Sequence, residues 1–322
     1  MNAHEILSGP PRPADLRHLR PSNAAGLAAF GTVAFATVVG LGLALQTHVL
    51  AWAIGQLLLA LAFVQWFVLL HECGHDTLFR HRRLNEIVGR IAGFFSIVPF
   101  ACWTRVHGRH HRWTGWQDLD PTTESLVPRA RGRFERSIVN VCWKCSIPLF
   151  SIVYRLENYW RLPRLFTLFP AKADRQRLLR DAVVLVLLYL LLIVAIGPLL
   201  LARLIGAALV LSLIAEDVLL LSQHTHIPQN ISHGAMVRPF PAIEQEAFTR
   251  SLRLPGWLST LVLHFDAHEL HHMYPFLPGY RLHRVAYAPH NEIGCWRWIR
   301  LAKRMPGEVF LFQNRTESGW EI

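Results

Sequence analysis

From Asn23 to Leu70 the chain contains no Asp, Glu, Lys or Arg. A helix needs about 20 apolar residues to cross the hydrocarbon core of a bilayer, so this run is long enough for two crossings. Its most polar cluster, Gln46-Thr47-His48, predicts a tight turn between a first span over residues 24–45 and a second over 50–70. A second pair is expected at 182–202, which is free of charge, and at 204–221, which is apolar except for Ser212, Glu216 and Asp217. The pattern predicts an all-α integral membrane protein with four transmembrane helices in two hairpins. Hydrophobic residues make up 52% of the chain and charged residues 17%, proportions that suit a membrane protein better than a soluble domain. Between the pairs, Ile91–Trp103 is apolar but too short to cross and reads as an interfacial or re-entrant helix. Ile138–Tyr154, interrupted by Lys144 and Pro148, reads as a second interfacial helix, with a full span as the alternative.

The histidines are grouped. His268-Glu269-Leu270-His271-His272 has the form H-x-x-H-H, and so does His107-Gly108-Arg109-His110-His111. A looser H-x-x-x-H lies at His71 and His75, where the second span ends. Positions i, i+3 and i+4 share one face of a helix, so each box aims its imidazoles one way. Eight such rings exceed what one tetrahedral zinc can use, and two metal ions with about four imidazoles each account for them. His224, in Gln223-His224-Thr225-His226, follows the fourth span as His71 follows the second. His224 and His226 cannot face the same way on a helix, and position at the span end favours His224 as the ligand, leaving His226 to support it or face solvent. Glu216 and Asp217 are acids in an apolar span, where such groups face the protein interior. Asp217 lies seven residues before His224, on the same face. Two readings stand for these acids: a carboxylate accepting a ligand N–H, or a structural pair with an Arg or a Trp. Asp266 and Asp76, beside the boxes, carry the same alternatives.

The net charge is +11, nearly all of it Arg. The basic residues lie between the hairpins and in the C-terminal segment, whereas the short turns have only Arg203 nearby. The positive-inside rule then puts both termini and all boxes on the cytoplasmic side, as a helical cap carrying the boxes. Residues 1–22 read as a cytoplasmic lead-in without a signal-peptide pattern, 23–290 as the membrane domain, and 291–322 as a cytoplasmic tail. The basic face suits anionic lipid headgroups or an acidic protein partner, and no motif points to nucleic acid. Five scattered cysteines form no disulfide framework, and Cys142-x-x-Cys145 lacks the βαβ context of a redox motif.

Three stretches together carry a family resemblance: HECGHDTLF from His71, W..VHGRHH..T…D.DP from Trp103 to Pro121, and HFDAHELHHMYPFLP from His264. With the preceding QHTH, they resemble the membrane fatty-acid desaturase and hydroxylase superfamily over residues 24–290, most closely its acyl-lipid desaturases. The resemblance implies a non-haem di-iron centre that uses O2 and two electrons to break an unactivated C–H bond of an acyl lipid. Loss of a second hydrogen gives a double bond. The electrons would come from a separate ferredoxin or b-type cytochrome, since the chain has no length left for a fused cytochrome domain. Carried over by motif, the iron ligands would be His71, His75, His107, His110, His111, His268, His271 and His272, with His224 by the Q-H match. The inner (plasma) membrane of a bacterium is the expected location. Carotenoid ketolases and hydroxylases share the boxes and the HH.YP..P tail and are the alternative within the superfamily. His71-Glu72-x-x-His75 and His268-Glu269-x-x-His272 also spell the H-E-x-x-H of zinc metalloproteases, a reading that leaves His107, His110, His111 and His271 unemployed.

Overall fold

The computed structural model describes residues 9–129 and 131–322; the first part of the expected lead-in, residues 1–8, lies outside the described residues. In chain order the helices are α1 Asn23–Ala44, α2 Val49–Gly74, α3 Arg82–Ser96, α4 Phe100–Trp113, α5 Arg133–Lys144, α6 Leu149–Arg155, α7 Leu162–Leu168, α8 Lys172–Ile196, α9 Pro198–Leu201, α10 Ala207–His224, α11 Gly256–Leu261, α12 His268–Met273, α13 Gly279–Leu282, α14 Cys295–Ala302, α15 Gly307–Phe312 and α16 Arg315–Ser318. Two short strands, β1 Leu252–Arg253 and β2 Ile293–Gly294, pair in parallel. Among the described residues, four segments are long and apolar enough to cross a membrane: α1, α2, α8 and the run Pro198–His224 that joins α9 to α10. The molecule is therefore a mostly helical membrane protein.

The span boundaries differ from the charge-based expectation. The third span, expected over 182–202, starts at Lys172 and stops at Ile196, because Gly197 adopts φ 85° and Pro198 cannot continue the hydrogen-bond ladder. The fourth, expected over 204–221, takes up residues 198–224. Its polar, charged first turns make α8 longer than its apolar stretch. Ile91–Trp103 is not one helix: Ile97 is left-handed (φ 56°) and Pro99 breaks the run, so α3 and α4 meet at 97°. Ile138–Tyr154 is broken likewise at Ser146 (φ 54°) and Pro148, with a bend of 116°.

The chain comprises two compact units. One comprises Ser22–Val106 and Phe150–Glu216 and holds most of the apolar helices. Within it, α1 and α2 cross closely on glycines. A Cβ on Gly55 would lie 2.7 Å from the Ala44 nitrogen and 2.8 Å from the Gly40 carbonyl oxygen, and one on Gly40 would lie 2.7 Å from Leu59 Cγ. Small residues at such crossings replace the hydrophobic driving force that helices lack in lipid. A π turn at Ala202–Gly206 interrupts the fourth span. Gln56 of α2 repairs it, donating to the Leu204 carbonyl (2.8 Å) and accepting the Ala208 N–H (2.9 Å). Trp66 donates to Thr37 Oγ1 (2.9 Å) and stacks on Phe95. Asp181 on α8 accepts from Arg90 (2.8 Å) and from the Ala101 N–H at the start of α4 (3.1 Å), so a carboxylate meets the positive end of that helix.

The other unit comprises residues up to Pro21, His107–Leu149 and Asp217–Ile322. Its core contains Leu16 and Leu19 of the expected lead-in, packed with Leu270, Met273, Tyr274, Leu277, Leu282 and Val285. Tyr274 also donates to the Pro11 carbonyl (2.6 Å). The expected tail is equally built in: Trp143 of α5 stacks on Phe310 of α15 and donates to the Ala302 carbonyl. If the glycine crossing sets the stability of the α1–α2 pair, Gly55→Val should cost ~1–3 kcal/mol through overpacking. Gly42→Val, which meets nothing within 4 Å, should be tolerated. Thermal unfolding of the two variants in detergent is the check.

Candidate metal centre

The third box is presented by the six-residue helix α12. Leu263 and His264, both left-handed (φ 51° and 56°), turn the chain after α11 and lead into it. Leu270, Met273 and Tyr274 anchor α12 in the apolar core with Leu16 and Leu19, while His268, His271 and His272 project from the remaining face. The second box occupies the last two turns of α4, and His224 is the last residue of α10.

His110, His224, His268 and His272 form one buried or nearly buried cluster, each offering a nitrogen within 4.8 Å of the others. His110 Nε2 lies 3.3 Å from His272 Nε2, and His224 Nε2 lies 2.8 Å from His268 Nε2. The opposite ring nitrogens explain why these edges face one another. His110 Nδ1–H donates to Asp120 Oδ2 (2.7 Å). His272 Nδ1–H donates to Gln245 Oε1 (2.9 Å), and His224 Nδ1–H to the Phe248 carbonyl (3.3 Å). A neutral imidazole has one N–H and one lone pair. Three rings therefore direct their N–H groups outward and their Nε2 lone pairs inward, and lone pairs 3.3 Å apart repel unless a cation lies between them.

Each outward acceptor is itself fixed. The Gln245 amide donates to the carbonyls of His111 (2.7 Å) and Phe240 (3.4 Å), which leaves its oxygen for His272. Burial penalises the Asp120 charge, but the His110 ring and the Thr122 backbone N–H (2.9 Å) more than offset this and hold its pKa below the ordinary carboxylate value. His272 is pushed well below the ordinary histidine value, by burial first and then by the surrounding rings, so it stays neutral. A dry, neutral, nitrogen-only donor set suits a borderline transition metal rather than calcium or magnesium.

Beside this cluster, His111 Nε2 lies 3.1 Å from His107 Nε2 and 3.0 Å from His271 Nε2. In the other unit, His71 on the last turn of α2 and His75, its C-cap, have ring centroids 4.8 Å apart, and Trp103 meets both edge-on. His71 Nδ1 is held by Glu72 Oε1 (3.2 Å), and Glu72 Oε2 accepts the Thr77 hydroxyl (2.9 Å). Glu269 accepts backbone N–H groups of Ser251 (3.1 Å) and Asn291 (2.7 Å); burial raises its pKa to about 7 against their pull. Both H-E-x-x-H glutamates thus serve as fixed acceptors, an unsuitable posture for the general base of a zinc protease.

The acids for which the sequence left two readings open have the following partners. Glu216 forms a buried ion pair with Arg155, whose Nε also donates to the Ser96 carbonyl (3.1 Å). Asp266 accepts the Ser259 hydroxyl (2.7 Å), and the negative charge of Asp217 acts on Lys303. His226 is left-handed (φ 60°) and bonds the Gln313 carbonyl (2.9 Å) and the Ser318 hydroxyl (3.0 Å), so it turns away from His224 towards the C-terminal segment. Asp76 is half exposed and sits 3.5 Å from Arg82. The groups that hold rings include Asp120, Gln245, the Phe248 carbonyl and Glu72. Asp120 had a sequence signal as part of the D.DP that follows the second box, and Glu72 as part of the first box; Gln245 and Phe248 had none.

A helical membrane protein with a buried polyhistidine cluster fit for a transition metal is the class that these features define. A sequence model of the family described as Fatty acid desaturase matches residues 47–295, and the chain belongs to that family. It is therefore an oxidoreductase of lipid metabolism. A probable fatty acid desaturase of Sorghum bicolor is 26% identical over 80% of this chain and 69% of its own length. An endoplasmic-reticulum omega-3 fatty acid desaturase of Vigna radiata var. radiata is 25% identical over 71% of this chain and 62% of its own. An sn-1 acyl-lipid omega-3 desaturase (ferredoxin) of Nostoc sp. (strain 36) is 32% identical over 27% of this chain and 26% of its own. The chain thus spans about two thirds of the length of the first two. Removing the anionic acceptor with Asp120→Asn should weaken metal retention ~10–100-fold, measured by metal content after challenge with a chelator.

Proposed function

We propose that the chain is an O2-dependent acyl-lipid desaturase whose di-iron centre is held by His71, His75, His107, His110, His111, His224, His268, His271 and His272. The observation that carries this reading is the inward set of Nε2 lone pairs, fixed by outward N–H bonds to Asp120, Gln245 and the Phe248 carbonyl. Bound iron would supply the activation of O2 needed to break an unactivated C–H bond. The rings would hold the metal, and their acceptors would fix tautomer and orientation. The acyl chain would lose two hydrogens to give a double bond, and O2 would leave as water. Two electrons would come from a separate ferredoxin or b-type cytochrome, in keeping with the donor in the name of the Nostoc relative. The site would face the cytoplasm of a bacterial inner membrane, the side that the distribution of arginine favours.

A host that expresses the full chain should gain unsaturated acyl species in its fatty-acid profile. His271→Ala should abolish them while the protein stays in the membrane fraction. Oxygenated carotenoid in place of new double bonds, or product that survives the substitution, would overturn the reading.

A further inference from the structure

Glu269 ties the third box to a surface. It sits between His268 and His271, and its two carboxylate oxygens take the N–H groups of Ser251 and Asn291. The Ser251 hydroxyl in turn accepts the Glu269 N–H (3.0 Å). Ser251 leads into β1 and Asn291 into β2; the strands pair Leu252 with Ile293 and Arg253 with Gly294, and Ile293 N–H donates to the Ser251 carbonyl (3.1 Å). This ladder is a short bonded route from the imidazoles to the protein exterior.

The helix α14 lies where that route surfaces. One of its faces is internal, through buried Trp298 and Ala302. The other exposes Trp296 (73%), Arg297 and Arg300, followed by exposed Arg304. Arg253 stands beside them on β1, paired at 3.4 Å with Glu292. Among the described residues, Arg297, Arg300 and Arg304 form no ion pair. A Trp among uncompensated arginines is the composition of an interaction hot spot, and its charge suits an acidic partner.

We infer that the exposed face of α14, centred on Trp296, Arg297 and Arg300, docks the acidic face of a small electron-donor protein. The β1–β2 ladder and Glu269 then connect that face to the histidine cluster. This docking face rests on the desaturase reading above. A reduced donor gives up one electron per encounter and leaves oxidised. Two encounters, with the two electrons of the broken C–H bonds and four protons (two from substrate, two from solvent), reduce O2 to two waters. Electron-transfer partners meet through small, charge-steered contacts, which a single amphipathic helix can supply.

The test uses the full chain in lipid nanodiscs and measures binding of oxidised [2Fe–2S] ferredoxin at low salt, with the soluble haem domain of a cytochrome b5 as a second arm. Arg297→Glu/Arg300→Glu should weaken binding of the preferred donor about tenfold or more, with iron content and thermal transition unchanged. Arg133→Glu/Lys144→Glu, the same charge change on α5, should alter binding less than about twofold. Equal weakening by both double variants, no weakening by the first, or no binding of either donor to the unmodified chain would overturn the inference. Failure of the unmodified chain to desaturate with dithionite and a viologen mediator would instead count against the desaturase reading, since that assay needs no docking.

Discussion

Mutual repulsion among inward-facing imidazole lone pairs is the constraint around which the site is built. Left alone, rings whose nitrogens stand 2.8–3.3 Å apart would share protons or move apart. The fold blocks both escapes. Asp120, Gln245 and the Phe248 carbonyl each hold an N–H on the far side of a ring. The core beneath α12 fixes the backbone that delivers His268, His271 and His272. The cluster is thereby poised for a cation, and its preference for a transition metal follows from neutral nitrogen donors in a dry setting.

The same accounting of polar groups governs the apolar helices. Lipid offers no hydrogen bonds, so any break in a ladder has to be repaired from within the protein. Gln56 repairs the π turn of the fourth span, Asp181 meets the free N–H at the start of α4, and Arg155 neutralises Glu216 while satisfying the Ser96 carbonyl. These residues look anomalous in an apolar sequence, yet each has a specific group to satisfy.

Much of this plan was legible in the one-dimensional sequence. Charge-free runs announce membrane helices because bilayer thickness imposes a length on them, and the i, i+3, i+4 spacing of histidines announces convergent rings because helical geometry is local. Pro148 marks a break for an equally local reason, the missing N–H, whereas the expected helix over 91–103 and span over 182–202 ran through Pro99 and Pro198, where the chain in fact breaks. The boundaries were harder to see: α8 begins ten residues before its charge-free stretch, since helical propensity runs on through Asp174, Arg175 and Arg177. The partners of the histidines were harder still. Glu216 and Asp266 stood close in sequence and pair elsewhere, whereas Gln245, with no motif around it, holds His272.

Sequence by itself determined a helical membrane protein of the desaturase family, because hydropathy, periodicity and box spacing are properties of neighbouring residues. Tertiary structure alone decided which nitrogen of His110, His224 and His272 carries the proton, that His224 joins the cluster while His226 turns to the C-terminal segment, and that Glu269 faces a strand ladder instead of the rings. Those choices depend on hydrogen bonds between residues up to 94 positions apart, and such bonds exist only once the chain has folded.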